Sequence, residues 1–253
     1  MKHSIENKII LVTGASRGIG YATSLKLAKY GAQLILASRN LKDLENFREK
    51  IQTFGKTPSI IQTNVTENKD LENLFSIINK DYGKLDGAFN NSGILENPNH
   101  LHNIQEEEFW DLVKTNIYGT WMCMKNEINL MLKSKSGSIV NCSSINGSKG
   151  NPKHPIYTAT KHAIIGLTKS AAISYAKNSI RVNAISPGPT ETKMMTKIDD
   201  SIPEKKQSIN NWIPFGRYAK PEEIAESVIW LLSNKSNYIT GSVISIDGGV
   251  SAS

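Results

Sequence analysis

The sequence predicts an α/β domain built on one doubly wound sheet of seven parallel strands, with helices on both faces. Short, almost wholly apolar runs alternate with segments whose apolar residues recur at helical spacing, as expected for a sheet covered on both sides. A glycine-rich turn follows the first apolar run and opens a helix, as in Rossmann-like folds. The 253 residues contain no repeat, linker or low-complexity segment, so we expect a single domain spanning 1–253.

The strands are predicted from runs rich in Ile, Leu and Val. Most lack the apolar–polar alternation of a half-exposed strand, which favours burial on both faces. The predicted strands are 8–12, 33–37, 59–63, 85–89, 138–142, 180–185 and 242–246.

The intervening helices carry recognisable start signals. Asn40 is predicted to cap one helix because Asp43 follows three residues later, and Pro221 suits the first position of another. A long helical pattern covers 105–132. Within it, Asn116 is a polar residue among apolar ones, which indicates a local irregularity of the helix or a buried polar contact.

The turn from Thr13 to Gly20 has the spacing G-x-x-x-G-x-G. Its glycines would let a pyrophosphate approach the backbone, and the following helix N-terminus offers N–H groups and the positive end of its dipole. We therefore predict that this turn binds the phosphates of a dinucleotide. The residues assigned to this contact are Gly14, Ser16, Arg17, Gly18, Ile19 and Gly20.

The end of the second strand indicates which dinucleotide binds. Ser38 and Arg39 stand where an NAD site would carry an acidic residue for the ribose 2′-hydroxyl. A hydroxyl and a guanidinium suit a 2′-phosphate instead, and Arg17 could add a second positive group. We therefore expect NADP (NADPH) rather than NAD; two solvated arginines are the alternative.

Asn64 and Val65 follow the third strand at the carboxyl edge of the sheet, where open α/β sheets bind ligands. Both are assigned to the cofactor. Asn64 can hydrogen-bond an adenine edge or, alternatively, cap the following helix with Thr66.

A hydroxyl, a phenol and an ammonium group fall within the eighteen residues from Ser144 to Lys161. Tyr157 and Lys161 are four residues apart at the start of a helical pattern, so they share one helix face. A positive charge near a phenol favours the phenolate and lowers its pKa, which suits a general acid/base. The alternative is a helix that carries Tyr-x-x-x-Lys on a solvated face.

Bulk properties exclude several classes of function. The net charge is +7, but the lysines are spread along the chain and no nucleic-acid-binding motif appears, so we expect no nucleic-acid partner. Cys123 and Cys142 lie in apolar contexts without metal-ligand spacing, so we expect reduced thiols and no metal. No apolar run approaches membrane-spanning length, and we expect a cytoplasmic protein without a membrane partner.

Taken together, these motifs resemble the short-chain dehydrogenase/reductase family over essentially the whole chain. Within it, the chain is most similar to the bacterial NADP-dependent 3-oxoacyl-carrier-protein reductases and the small alcohol dehydrogenases. The motifs are the turn at 13–20, Asn90-Asn91-Ser92-Gly93, Asn116, Ser144 thirteen residues before Tyr157, Tyr-x-x-x-Lys, Pro187-Gly188 and Asp247-Gly248-Gly249.

The resemblance implies a role for each catalytic position. Tyr157 would exchange a proton with the substrate oxygen, which Ser144 would hydrogen-bond, while hydride passes between the nicotinamide and the adjacent carbon. Lys161 would lower the pKa of the phenol and hold the ribose hydroxyls, and Asn116 would hold a water that connects Lys161 to solvent. The implied cofactor contacts also include Asn91, Gly93, Tyr157, Lys161, Pro187, Gly188, Thr190 and Thr192.

The resemblance also implies a division of the chain. The dinucleotide-binding half would be about 1–135 and the catalytic and substrate half about 136–253, with a lid at about 189–215. Many family members are tetramers, so we expect a homotetramer. Two residues depart from the family pattern: Ser92 replaces the usual alanine, and Asn64 stands where many members have Asp.

The resulting hypothesis is an NADP(H)-dependent oxidoreductase that acts on a carbonyl or secondary alcohol. A 3-oxoacyl-carrier-protein reductase, with acyl carrier protein as a partner, and an NAD-dependent catabolic alcohol dehydrogenase are the alternatives within this class. A non-catalytic dinucleotide sensor is disfavoured because Tyr157 and Lys161 are both present. A methyltransferase is disfavoured because Ser38-Arg39 replaces the expected acidic residue.

Overall fold

The computed structural model describes residues 2–196 and 212–252. Its centre is a seven-stranded parallel sheet with the strand order β3-β2-β1-β4-β5-β6-β7. The strands are β1 (Ile9–Thr13), β2 (Gln33–Ser38), β3 (Ser59–Gln62), β4 (Gly87–Asn90), β5 (Gly137–Cys142), β6 (Ile180–Pro187) and β7 (Val243–Ile246). All seven predicted strands are confirmed, with ends that differ by at most two residues.

Helices cover both faces of the sheet, as predicted. The helices are α1 (Lys2–Ile5), α2 (Gly18–Lys29), α3 (Leu41–Gln52), α4 (Asn68–Asp81), α5 (Glu106–Leu112), α6 (Gly119–Ser134), α7 (Pro155–Tyr175) and α8 (Pro221–Leu232). One core cluster joins the sheet to α2, α3 and α8, and a second joins it to α4 and α6. Successive β1 residues alternate between the two clusters, because strand side chains point to opposite faces.

The start signals predicted for α3 and α8 are confirmed. The Asn40 side chain accepts a hydrogen bond from the Asp43 amide (3.2 Å) at the start of α3. Pro221 is the first residue of α8, where Glu223 accepts from the Lys220 amide (2.8 Å). Asn64 does not cap α4, which begins at Asn68; its side chain closes a turn by accepting from the Thr66 amide (3.3 Å).

The long helical pattern at 105–132 is irregular where Asn116 lies. α5 and α6 are joined by a π-helical turn, Val113–Tyr118, so the irregularity predicted from Asn116 is confirmed. In this turn the hydrogen-bond ladder runs over five residues; the Gly119 amide donates to the Lys114 carbonyl.

The strand order places a crevice at the carboxyl end of β1. β1 pairs with β2 on one side and β4 on the other, and the chain reverses its direction of winding there. Such a switch point leaves a crevice in which open α/β sheets bind ligands. The loops after β1, β4, β5 and β6 meet at this edge.

Two further sequence predictions concern the lid and membrane-spanning segments. Most of the predicted lid at 189–215 lies outside the described residues. Within 2–196 and 212–252, no helix has the length and hydropathy needed to cross a membrane.

Candidate active site

The glycine turn is built so that backbone, not side chains, faces the crevice. Gly14 and Gly18 have positive φ angles of 63° and 56°. Residues other than glycine rarely adopt this backbone conformation. A Cβ atom on Gly20 would lie 2.4 Å from the Gly14 carbonyl oxygen, so that position also requires glycine. α2 begins at Gly18, and Arg17 gives it no side-chain cap. These features fit a dinucleotide pyrophosphate at the helix N-terminus.

The loop after β4 is fixed to this turn by hydrogen bonds. The Asn91 side-chain amide donates to the Gly14 carbonyl (3.1 Å). The Thr13 hydroxyl accepts from the amides of Asn91 (3.1 Å) and Ser92 (3.3 Å). Thr13 was not assigned a site role from the sequence; its position at the end of β1, beside a second polar loop, is the signal that could have found it.

The predicted 2′-phosphate contacts lie at the end of β2. Ser38 is buried, and its hydroxyl is hydrogen-bonded within the turn to Asn40. Arg17 and Arg39 are exposed, and in the part of the chain that the structure describes neither guanidinium has a hydrogen-bond or ion-pair partner. Both are therefore available to an anion.

Val65, in the loop after β3, is buried. It lies so close to Gly119 that a Cβ atom there would be 2.7 Å from a Val65 methyl group. This contact holds the loop after β3 against the start of α6.

The loop after β6 closes the other side of the glycine turn. A Cβ atom on Gly18 would lie 3.1 Å from the Thr192 methyl group, so Thr192 packs directly on the turn. Thr190 is buried, and its hydroxyl donates to the Gly188 carbonyl (3.0 Å). Gly188 lies against Asp247 and donates its amide to Ile246 at the end of β7 (2.9 Å). Pro187 ends β6.

Two more of the predicted cofactor contacts lie in the glycine turn. Ile19, in the first turn of α2, packs on the core, and Ser16 is half-buried.

Ser144, Tyr157 and Lys161 come together where β5 ends. The Lys161 ammonium group donates to the carbonyl of Cys142, the last residue of β5 (2.7 Å), and lies 5.4 Å from the centre of the Tyr157 ring. The Ser144 hydroxyl accepts from the Asn146 amide (3.2 Å), which leaves its proton available for donation. Tyr157 and Lys161 share one face of α7, as predicted.

The expected lowering of the Tyr157 pKa is not found in the protein alone. Burial of the phenol raises its pKa above the ordinary range, the charges of Cys142 and Glu96 raise it further, and the Ser144 hydroxyl acts in the opposite direction. Burial also lowers the pKa of Lys161. A nearby cation favours a phenolate, but the loss of solvent around the Tyr157 phenol has the larger effect, and a linear motif does not reveal that loss.

Asn116 is buried and its side chain bridges two elements. Its carbonyl oxygen accepts from the Ile94 amide (2.9 Å). Its amide donates to the Ile94 carbonyl (2.9 Å) and to the Thr160 hydroxyl on α7 (3.1 Å). A Cβ atom on Gly93 would lie 3.3 Å from the Asn116 side chain and 3.6 Å from the Lys161 ammonium group. Asn116 therefore packs the loop after β4 against α7, beside Lys161.

Glu96 is a further residue at this site that the sequence did not single out. It is 3% exposed, and its carboxylate accepts hydrogen bonds from the amides of Ile156 and Tyr157. No local pattern indicated this contact, because Glu96 and Tyr157 are sixty-one residues apart.

Comparisons with known proteins agree with this geometry. The family model described as enoyl-(acyl carrier protein) reductase matches residues 14–251. A 3-oxoacyl-[acyl-carrier-protein] reductase of Thermotoga maritima is 37% identical over 249 residues, which cover 97% of this chain and 98% of the relative. A 2,5-dichloro-2,5-cyclohexadiene-1,4-diol dehydrogenase of Sphingobium indicum is 35% identical and covers 98% of both chains.

Solved structures give the same result. Levodione reductase superposes with a TM-score of 0.92 at 30% identity, over 98% of this chain and 99% of that one. ElxO with bound NADP superposes with a TM-score of 0.91 at 34% identity, over 98% of this chain and all of that one. The sheet order, the glycine turn and these matches along nearly the whole chain lead to one conclusion: the protein is an NAD(P)-dependent oxidoreductase that belongs to the short-chain dehydrogenase/reductase family.

Proposed function

We propose that the protein interconverts a ketone and a secondary alcohol with NADP(H), and that Tyr157 is its general acid/base. The observation that carries the proposal is the convergence of the Ser144 hydroxyl, the Tyr157 phenol and the Lys161 ammonium group at the carboxyl end of β5. This set offers a hydrogen-bond donor, a proton and a positive charge to one oxygen atom.

The roles follow from the position of each group. In the reductive direction, Ser144 donates its proton in a hydrogen bond to the substrate oxygen, and Tyr157 transfers its proton to the alkoxide. Lys161 then stabilises the phenolate, which the buried site would otherwise disfavour. The nicotinamide, when bound, supplies or accepts the hydride. Asn116 acts here by holding Ile94, in the loop after β4, against Thr160 on α7, the helix that carries Tyr157 and Lys161.

The preference for NADP rests on the adenosine end of the crevice. Arg17 and Arg39 are the exposed cations beside the ends of β1 and β2, and Ser38 leaves no carboxylate to repel a phosphate. ElxO, a relative at 34% identity, binds NADP. The remaining cofactor contacts proposed here are those at the glycine turn and at Asn64, Val65, Asn91, Gly93, Pro187, Gly188, Thr190 and Thr192.

Two substrate classes are favoured by particular relatives. The Thermotoga relative supports a 3-oxoacyl-carrier-protein reductase, with acyl carrier protein as the partner. The Sphingobium relative supports a catabolic dehydrogenase of cyclic alcohols. The two predict opposite working directions, so a substrate panel separates them.

We also propose a homotetramer. Large apolar side chains lie exposed on the two long helices: Trp121 on α6 is 44% exposed and Ile173 on α7 is 82% exposed. Burial of such groups between subunits would stabilise the assembly. Light scattering coupled to size-exclusion chromatography would give four chain masses; a monomer would contradict the proposal.

The cofactor experiment compares NADPH and NADH in parallel, with a β-ketoacyl thioester and a panel of small ketones as substrates. We expect turnover with NADPH, and we expect Arg39→Gln to raise the KM for NADPH by about tenfold or more while leaving that for NADH nearly unchanged. Arg48→Gln, farther along α3, is the matched control. A wild-type preference for NADH would contradict the assignment of Arg17 and Arg39.

A further inference from the structure

Glu96 places a buried carboxylate against the first turn of α7. One of its oxygens accepts from the amides of Ile156 (3.0 Å) and Tyr157 (3.0 Å), and the other lies 3.1 Å from the Tyr157 amide. Glu96 itself belongs to the loop between β4 and α5. The loop after β4 also contains Gly93 and Ile94, and Ile94 is hydrogen-bonded to Asn116. The Glu96 contact thus joins this loop to Tyr157.

This contact supplies the first turn of α7 with a negatively charged hydrogen-bond acceptor. No acidic residue occurs within that turn, and the Pro155 nitrogen has no hydrogen to donate. The remaining N–H groups at a helix start need acceptors, and the positive end of the helix dipole favours a negative charge. A carboxylate that is nearly out of water is costly unless several donors compensate it, and here the donors are backbone amides of α7.

We propose that Glu96 is a positioning residue for Tyr157, which fixes the start of α7 to the loop after β4 and so sets where the phenol stands relative to Ser144. This inference rests on the proposed function of Tyr157. Within the described residues, the Glu96 carboxylate accepts from the backbone of Ile156 and Tyr157 and makes no hydrogen bond to the phenol oxygen, so it acts through the Tyr157 backbone.

The position also gives Glu96 an electrostatic effect on the reaction. Its negative charge raises the pKa of Tyr157, in addition to the larger effect of burial. The other charged or titratable groups around the phenol are Cys142 at the end of β5 and Lys161 on α7. Around Glu96 they are Glu108 on α5 and the buried His154 directly before α7. Removing the Glu96 charge should therefore ease ionisation of the phenol.

Two variants separate position from charge. Glu96→Gln keeps one acceptor oxygen and removes the charge, whereas Glu96→Ala removes both. Glu108→Gln is the matched control, because Glu108 also holds this loop, through the Asn97 amide (3.0 Å), but within the described residues it accepts no hydrogen bond from α7.

The kinetic readout is the pH profile of kcat/KM for alcohol oxidation, measured with the full-length enzyme and NADP. Oxidation requires the phenolate, so activity rises with pH, and we expect Glu96→Gln to move the midpoint down by about half a pH unit. We expect Glu96→Ala to lower kcat by about tenfold with little change in the KM for the alcohol. The Glu108→Gln profile should match that of the wild type.

A second readout needs no turnover. Hydrogen exchange of a peptide that starts at Pro155 should be faster in Glu96→Ala than in the wild type and in Glu108→Gln, because the Ile156 and Tyr157 amides lose their acceptor. Unchanged exchange in Glu96→Ala would overturn the inference, and so would a Glu96→Ala kcat equal to that of the wild type. If the wild type reduced or oxidised no substrate, the proposed function would fail, and the exchange comparison alone would support or overturn the anchoring role.

Discussion

Tyr157 shows how a single residue depends on its surroundings. The phenol is close to a cation, yet burial raises its pKa in the protein alone. A protonated phenol is the form needed to reduce a carbonyl, because the proton must be present before hydride transfer. In the proposed mechanism, Lys161 and Ser144 then stabilise the negative charge that forms on the phenol during the step.

We expect Tyr157→Phe to lower kcat/KM by about 10²- to 10⁴-fold in ketone reduction, because the ring remains but the transferable proton is lost. The affinity for NADPH, measured by fluorescence titration, should change little. Tyr175→Phe, at the other end of α7, is the matched control. Equal losses in both variants would show that the effect is not specific to the phenol at 157.

The glycine turn, which we propose binds the cofactor phosphates, depends on contacts between three segments. The glycine turn, the loop after β4 and the loop after β6 each approach the start of α2 within van der Waals contact. At Gly20, an added Cβ atom would lie 2.4 Å from the Gly14 carbonyl and 2.6 Å from the Asn91 side-chain amide. Neither the carbonyl nor the short asparagine side chain can move far, because each is held by the strand before it.

Gly20→Ala should therefore weaken NADPH binding by about tenfold or more and lower the free energy of unfolding by about 1 to 3 kcal/mol. Calorimetric titration and urea denaturation measure the two effects. Gly150→Ala is the matched control: it is exposed in the loop before α7, its φ is not positive, and nothing lies within 4 Å of an added Cβ atom. There alanine should raise stability by up to about 1 kcal/mol. Similar effects at both positions would refute the steric explanation.

At the scale of the whole molecule, a buried polar network joins the neighbouring strands β4 and β5 to the helices α6 and α7. Glu127 on α6 is fully buried and accepts from the Asn90 side-chain amide (3.0 Å). Asn90 also donates to Asn141 on β5 (3.0 Å), which donates to Thr168 on α7 (2.9 Å). Burial raises the pKa of Glu127 to about 8, against a smaller lowering by Asn90.

This pKa makes stability depend on pH. Glu127 keeps its proton in the folded chain and loses it at lower pH in the unfolded chain. The stability due to the bound proton is therefore complete below the unfolded pKa and is lost as pH rises through the folded pKa. Relative to Glu127→Gln, the wild type should lose up to about 1.4 kcal/mol per pH unit between about pH 5 and about pH 8. Urea denaturation across this range tests it; parallel pH dependences would contradict it.

The sequence determined the architecture and the family. Apolar runs, caps and glycine spacing act over a few residues, so they predicted all seven strands, the caps at Asn40 and Pro221, and the irregular turn at Asn116. The order of motifs along the chain predicted the family.

Only the tertiary structure decided what depends on distant residues. The Glu96 carboxylate at the amide of Tyr157, the Thr13 hydroxyl at the loop after β4, and the network around Glu127 each join segments far apart in the chain. The direction of the Tyr157 pKa was decided in the same way. Desolvation depends on all the atoms that surround a group, whereas a motif gives only its neighbours along the chain.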